Sequence, residues 1–359
     1  MMSYELISIS QIFSLNLHVR AKLRGSGELK ETLARDKPRV SIGMPVFNGE
    51  KYLEEALDSI LAQTYTDFEL IISDNASTDH TQQICRAYAA MDSCIRYYRN
   101  ERNLGAPRNF NRVFELSLGE YFKWAAYDDV LAPEYLQKCI GVLDKDPSIV
   151  LCHSKTGRID EHGALVGTYD HNMRIDSPKP HKRFGDLISK HNPCWPLMGV
   201  VRTSTLNMTP LIGNYAGADK NLLAEIGLLG RIYEIPEYLF FRRDHPQAYT
   251  RRRCELMRFA IPIMAWWTNT SWINFTHWKN CSEFFRSVRR VPLKWSERRL
   301  CYEQIFRWFI IEGWRLIGGD VEIYFLRRSS LGRKLASAVK LILRRAVISI
   351  IEKTFQEKL

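Results

Sequence analysis

The chain contains no uninterrupted apolar run of the ~18–20 residues that a membrane-spanning helix needs. Ile261–Phe275 comes nearest, but Thr268, Asn269, Thr270, Ser271 and Asn274 break it. The N-terminus reaches Glu5 without a basic start and a continuous apolar stretch, so it is a poor signal peptide. The eight cysteines (85, 94, 139, 152, 194, 254, 281 and 301) form no CxxC pair and no metal-ligand spacing. They read as reduced, mostly buried thiols of a cytoplasmic protein. Internal repeats, low-complexity segments and nucleic-acid recognition motifs are absent, and no nucleic acid is expected as a partner. No Gly-rich, Lys-containing phosphate loop is present either, which counts against a nucleotidyltransferase.

What is there is the composition of a globular protein, with 45% hydrophobic and 25% charged residues over 359 positions. That length allows one large domain and an appendage. The net charge of +11 is localised: from 251 onward there are 22 Lys+Arg against 9 Asp+Glu, and residues 1–250 carry 29 against 31. The same C-terminal part holds Trp266, Trp267, Trp272, Trp278, Trp295, Trp308 and Trp314, seven of the nine tryptophans. Tryptophan interleaved with cations suits a membrane surface, where indole sits at headgroup level and cations meet anionic lipid. Within Leu331–Ile351, Leu335, Val339, Ile342, Ala346 and Ile350 share one helical side and Arg333, Lys340 and Arg344 another, the form of an interfacial helix. These features predict peripheral attachment to the inner face of the cell membrane. The competing reading is a helical subdomain packed on the main domain.

Residues 1–37 form an N-terminal extension of weak periodicity. From Pro38 strands and helices alternate. Val40–Pro45 reads as a strand, Glu50–Gln63 a helix, Phe68–Ser73 and Ile95–Arg99 strands, Gly105-Ala106-Pro107 a helix opening, and Tyr121–Ala125 a further strand. A helix over Pro133–Leu143 and a strand over Ile149–His153 follow. Residues 155–185 read as a long functional loop at an acceptor rim. A helix near 217–229 and a strand pair near 231–243 complete the set. Such alternation predicts an α/β fold, a mostly parallel sheet flanked by helices. Domain limits are expected at 38–250, with 251–359 a basic, Trp-rich helical extension.

The strand Tyr121–Ala125 runs into Asp128-Asp129, and paired acids at a sheet edge suit a hard divalent cation holding phosphate. Four segments occur in order: Met44-Pro45-Val46-Phe47-Asn48-Gly49-Glu50, Ile72-Ser73-Asp74-Asn75-Ala76-Ser77-Thr78-Asp79, Asn103-Leu104-Gly105-Ala106-Pro107-Arg108-Asn109 and Tyr127-Asp128-Asp129-Val130-Leu131-Ala132-Pro133. In this order and spacing they resemble the family 2 glycosyltransferases, inverting enzymes of the GT-A nucleotide-sugar fold, over residues 38–250. The resemblance implies transfer of a sugar from a UDP-, GDP- or dTDP-sugar to a hydroxyl of a glycan or lipid-linked saccharide, with Mg²⁺ or Mn²⁺.

It further implies donor binding by Pro45, Phe47, Asn48 and Glu50, with Asp74 meeting base or ribose and Asn75 beside it. Arg108, in the first turn of a helix, faces phosphate together with the backbone dipole. The family's Asp-any-Asp triplet aligns with Ala126-Tyr127-Asp128, so the first acid is missing and Asp128 remains as the metal ligand. His245 is placed like the family's Arg-any-His ending and can approach the metal, with Arg243 supporting the diphosphate. Asp219, at the start of a late helix with Ala218 before it, fills the place of the catalytic base; a helix N-terminus keeps its carboxylate ionised. Ala126 and Ala218, standing where acids are usual, leave a nucleotide-sugar-binding module without transfer activity as the alternative. Trp195 is either an acceptor-stacking ring or core.

Overall fold

A computed structural model of the chain describes residues 37–170, 173–190, 193–246 and 276–317. Residues 1–36 of the N-terminal extension, the Ile261–Phe275 stretch and the amphipathic 331–351 segment lie outside the described residues. Among those described, no helix is long and apolar enough to cross a membrane.

The strands are β1 (Val40–Val46), β2 (Phe68–Asp74), β3 (Ile95–Arg99), β4 (Tyr121–Trp124), β5 (Val130–Leu131), β6 (Ile149–Ile159), β7 (Leu165–Tyr169), β8 (Val200–Arg202) and β9 (Arg231–Arg243). Between and after them run α1 (Leu53–Leu61), α2 (Thr81–Met91), α3 (Ala106–Glu115), α4 (Tyr135–Lys145), α5 (Pro180–Ser189), α6 (Thr203–Leu206), α7 (Ala218–Leu229), α8 (Thr276–Arg290) and α9 (Trp295–Trp308). The sheet order is β3-β2-β1-β4-β8-β6-β9-β5, with β7 paired to β6. β1 to β4 are mutually parallel. β8 runs antiparallel to both β4 and β6, and β6 is parallel to β9. The sheet is therefore mixed, with a wholly parallel N-terminal half. Because β8 reverses direction twice, the carboxyl ends of β1, β2, β4, β6 and β9 all reach the same rim.

Side-chain alternation builds the two faces. Val40, Ile42, Met44 and Val46 face α1, α2 and α4 in one core layer. Phe122 and Trp124 face the other, made with α3, α5, α7, α8 and α9. Gly43 is fixed by close approach: a Cβ there would stand 2.6 Å from Val113 of α3. Phe284, Val288, Cys301, Ile305 and Trp308 belong to this second layer, so α8 and α9 share the core of the 38–250 unit. The boundary expected at 250 does not separate two cores.

Two local expectations differ. Residues 155–185 are not one long loop: β6 continues to Ile159, β7 pairs back on it, and α5 follows. Half-exposed Lys155 and Arg158, with a register shift near Lys155, hide the apolar alternation there. The segment 231–243 is one 13-residue strand rather than a pair. The seven described cysteines are thiols outside any disulfide.

Candidate active site

The loop after β1 opens the site. Asn48 adopts φ +51, and its side-chain oxygen accepts the Thr78 N–H at 2.9 Å while its own N–H donates to Ser77 Oγ at 3.0 Å. The exposed Glu50 carboxylate accepts the His80 N–H at 2.9 Å and pairs with the His80 ring at 2.7 Å. These His80 donors, backbone first, hold Glu50 below the usual carboxylate range. Asn48 and Glu50 thus clasp the β1 loop to the β2 loop at the rim. Pro45 is buried inside β1 and Phe47 is half-buried beyond it. Gly49 lies against Tyr127; a Cβ there would meet its ring at 2.8 Å.

Asp74 departs from its expected contact with base or ribose. It is fully buried, and Oδ1 accepts the Ser77 N–H at 2.8 Å. Oδ2 accepts the Tyr97 hydroxyl at 2.9 Å and Arg99 Nη1 at 2.7 Å. A carboxylate out of water needs such partners, and Asp74 has them from the protein. Asn75 also turns inward: its oxygen accepts Asn100 Nδ2 and the Leu104 N–H, and its amide nitrogen donates to Asn103. Asn100 and Ser73 extend the network to Asn109 of α3. The Asp-Asn pair is a scaffold for the crevice wall. Its partners Tyr97, Arg99 and Asn100 escape sequence reading, although Tyr97 and Arg99 occupy alternate positions of a short strand.

Arg108 stands exposed in the first turn of α3, as expected. The same helix carries Asn111, which exchanges hydrogen bonds with the backbone of Ile212 at 2.9 and 3.1 Å. Ile212 leads into α7. Gly217, at φ +84, starts that helix, and Asp219 follows as its second residue, half-buried, accepting the Lys220 N–H at 2.8 Å.

Asp128 and His245 meet. Nε2 of the buried imidazole lies 2.9 Å from Asp128 Oδ2, across 117 residues of sequence. The imidazole also packs on Tyr52 of the first loop, with ring centroids 4.6 Å apart. Asp129 turns away and accepts the Arg243 N–H at 3.0 Å. Burial, then the charge of Asp128, push the Asp129 carboxyl up to about 7.

Arg243 requires a correction. Instead of facing a diphosphate it is 1% exposed. It donates to the Asp128 and Asp160 carbonyls at 3.0 and 3.2 Å and lies over Tyr52. The Glu55 carboxylate is 2.6 Å from its remaining nitrogen, an ion pair off the hydrogen-bonding line. Arg243 braces the Asp128 loop from behind. Trp195 packs edge-on against Tyr169 and lies under Arg242, half-buried.

The bonded wall around Asp74 and Asn75 and the Asp128–His245 pair thus border one rim of a mixed sheet, with Asp219 at the start of α7. Residues 41–203 match the sequence model of glycosyl transferase family 2. They belong to that family. The family domain is 35% identical over 133 residues to a glycosyltransferase of Methanocaldococcus jannaschii, covering 36% of this chain and 46% of that one. It is 28% identical over 214 residues to one of Haemophilus influenzae, covering 58% and 66%. Escherichia coli chondroitin synthase is 30% identical over 143 residues, 40% of this chain and 21% of the relative. The chain therefore spans about half or less of the length of most of these relatives. Among solved structures, Staphylococcus aureus TarS 1–349 in complex with UDP superposes with a TM-score of 0.59 over 89% of this chain and 92% of that one, at 16% identity. That likeness establishes the GT-A type fold.

Proposed function

We propose that the protein is an inverting glycosyltransferase, moving a sugar from a nucleotide-diphosphate donor to a hydroxyl of a glycan or lipid-linked saccharide with the help of Mg²⁺ or Mn²⁺. The observation that carries this reading is the Asp128–His245 pair at 2.9 Å on the rim where β4 and β9 end. Among the described residues there is no cluster of three His, Cys, Asp or Glu. A two-donor set still fits a hard divalent ion, which is commonly held by one or two protein ligands plus phosphate oxygens and water. Asp128 and His245 would hold it, and when bound it would supply neutralising charge to the departing diphosphate.

The chain's own residues do the rest. The rim clasp of Asn48 and Glu50 and the Asp74–Asn75 scaffold shape the donor crevice. Arg108 and the α3 N-terminus face the phosphates. Asp219, at the start of α7, accepts the acceptor hydroxyl proton as the new bond forms. TarS has been solved with UDP and with UDP-GlcNAc, which makes uridine donors the first to try. We place the enzyme in the cytoplasm, peripheral on the inner face of the cell membrane. The second reading, a binding module without transfer, rests on Ala126 and Ala218 in place of acids.

Thermal-shift measurements with UDP, GDP, CDP and dTDP, with and without Mn²⁺, followed by donor turnover, separate the two. Transfer that falls ~10²–10⁴-fold in Asp219→Asn with donor binding retained is expected for a general base. Tight nucleotide binding with no turnover across a broad acceptor panel would favour the binding module.

A further inference from the structure

The pair of C-terminal helices has an outer face as aromatic as its inner one. Inward, Phe284, Val288, Cys301, Ile305 and Trp308 fill the core. Outward, Trp278 (63% exposed) and Phe285 (44%) stand seven residues apart on α8, one stripe of a helix. Trp295 (74%), Arg299, Tyr302 and Phe306 (47%) recur at four- and three-residue steps along α9. Phe285 and Tyr302 stack with centroids 5.8 Å apart at 28°, joining the two stripes. The seam opens into a groove of about 670 Å³ lined by Phe285, Tyr302 and Phe306 with Arg299, Glu303 and Arg307, Arg299 and Glu303 forming an exposed pair at 3.3 Å. A helix apolar on both sides is ordinarily covered on both, and exposed apolar area of this kind marks an interaction surface.

Charge decides what covers it. Residues 276–317 carry 9 Lys+Arg against 4 Asp+Glu. The chain's own 318–359 segment also carries 9 against 4, so laying it here sets like charge on like. A second copy meeting face to face does the same. An anionic partner with an apolar interior satisfies both properties at once. We infer that the outer face of α8 and α9 is the surface by which the protein docks on an anionic phospholipid membrane, with Trp278, Phe285, Trp295 and Phe306 entering the headgroup layer and Arg299 and Arg307 meeting lipid phosphate.

The inference rests on the peripheral-membrane reading above and assigns that reading a surface among the described residues. Full-length protein is sedimented with vesicles of phosphatidylcholine alone and with phosphatidylglycerol added, in low and high salt. The combined variant Trp278→Ser, Phe285→Ser, Trp295→Ser, Phe306→Ser and the milder Arg299→Glu, Arg307→Glu are run beside wild type, with light scattering for mass. Wild type should bind anionic vesicles preferentially, less in high salt, and each variant should lose at least tenfold in partition. If wild type ignores anionic vesicles, membrane attachment itself is wrong. Wild-type-like binding by a folded variant would leave attachment standing and remove this face from it. Should the variants turn a wild-type dimer into monomers while vesicle binding persists, the face belongs to a second copy. Where the four-ring variant does not fold, the charge-reversal pair alone decides.

Discussion

At the scale of single residues, Asp128 has the most to lose. Its carboxylate faces the buried imidazole of His245 at 2.9 Å. Asp128→Ala should abolish any Mn²⁺-dependent increase in nucleotide thermal shift and reduce transfer at least ~100-fold, a few kcal/mol of charge stabilisation. Calorimetric titration with Mn²⁺ and nucleotide checks this; an unchanged metal response would sink the assignment. Lys123 gives a pH test. It lies buried on β4, over the Tyr135 ring, donating to the Trp124 and Met198 carbonyls. Burial pushes its ammonium down to about 8 from 10.5. Between those values the unfolded chain binds more protons than the folded one, so this group makes stability rise with pH there. Relative to Lys123→Met, wild type should gain up to about 3 kcal/mol between pH 8 and 10.5. Urea denaturation of both proteins across that range reads the difference.

The elements show how the helix bearing Asp219 is held. Glu225, buried on α7, accepts Arg290 of α8 through both oxygens at 2.5–2.6 Å and Ser287 Oγ at 2.7 Å. One turn nearer the rim, Asn221 donates to Asn280 Oδ1 at 3.1 Å, and Asn280 donates to the Ala216 carbonyl at 3.1 Å. Gly217 fits between because it has no side chain: a Cβ would lie 2.7 Å from Asn280 in a left-handed backbone. Arg290→Ala leaves Glu225 as a buried, half-paired charge and should cost about 3 kcal/mol. Glu225→Leu combined with Arg290→Met should cost less than Arg290→Ala alone, as measured by chemical denaturation. Gly217→Ala should destabilise by ~1 kcal/mol or more from backbone strain and lower kcat more than KM, because it tilts the start of α7.

For the molecule as a whole, α8 and α9 are structural members of the unit built on residues 38–250. Ending the chain near residue 250 removes Phe284, Val288, Cys301, Ile305 and Trp308 from a core they share with Trp124, Leu222 and Phe184. Each such side chain contributes roughly 1.5–3 kcal/mol by burial, together a loss of the same size as the usual margin of about 5–15 kcal/mol. The truncated protein should show no cooperative thermal transition by calorimetry; a sharp transition near that of wild type would refute the shared core. The extension therefore has a structural role whichever way the membrane experiment falls.

Local signals settled much of this. Strand and helix periods from Val40 to Leu143, the acids after β4 and the exposed Arg108 were all legible, because apolar spacing and turn chemistry act over a few residues. Long-range pairing was not. Asp74 and Arg243 look from the sequence like ligand-facing polar groups, and only the fold shows them buried against Arg99 and Glu55. The reversed β8 that brings β9 and His245 to the rim of β4, and the closure of α8 and α9 over α7, depend on contacts between segments about a hundred residues apart. Local propensity carries no record of such contacts, since burial and charge pairing are decided by what the folded chain places next to each side chain.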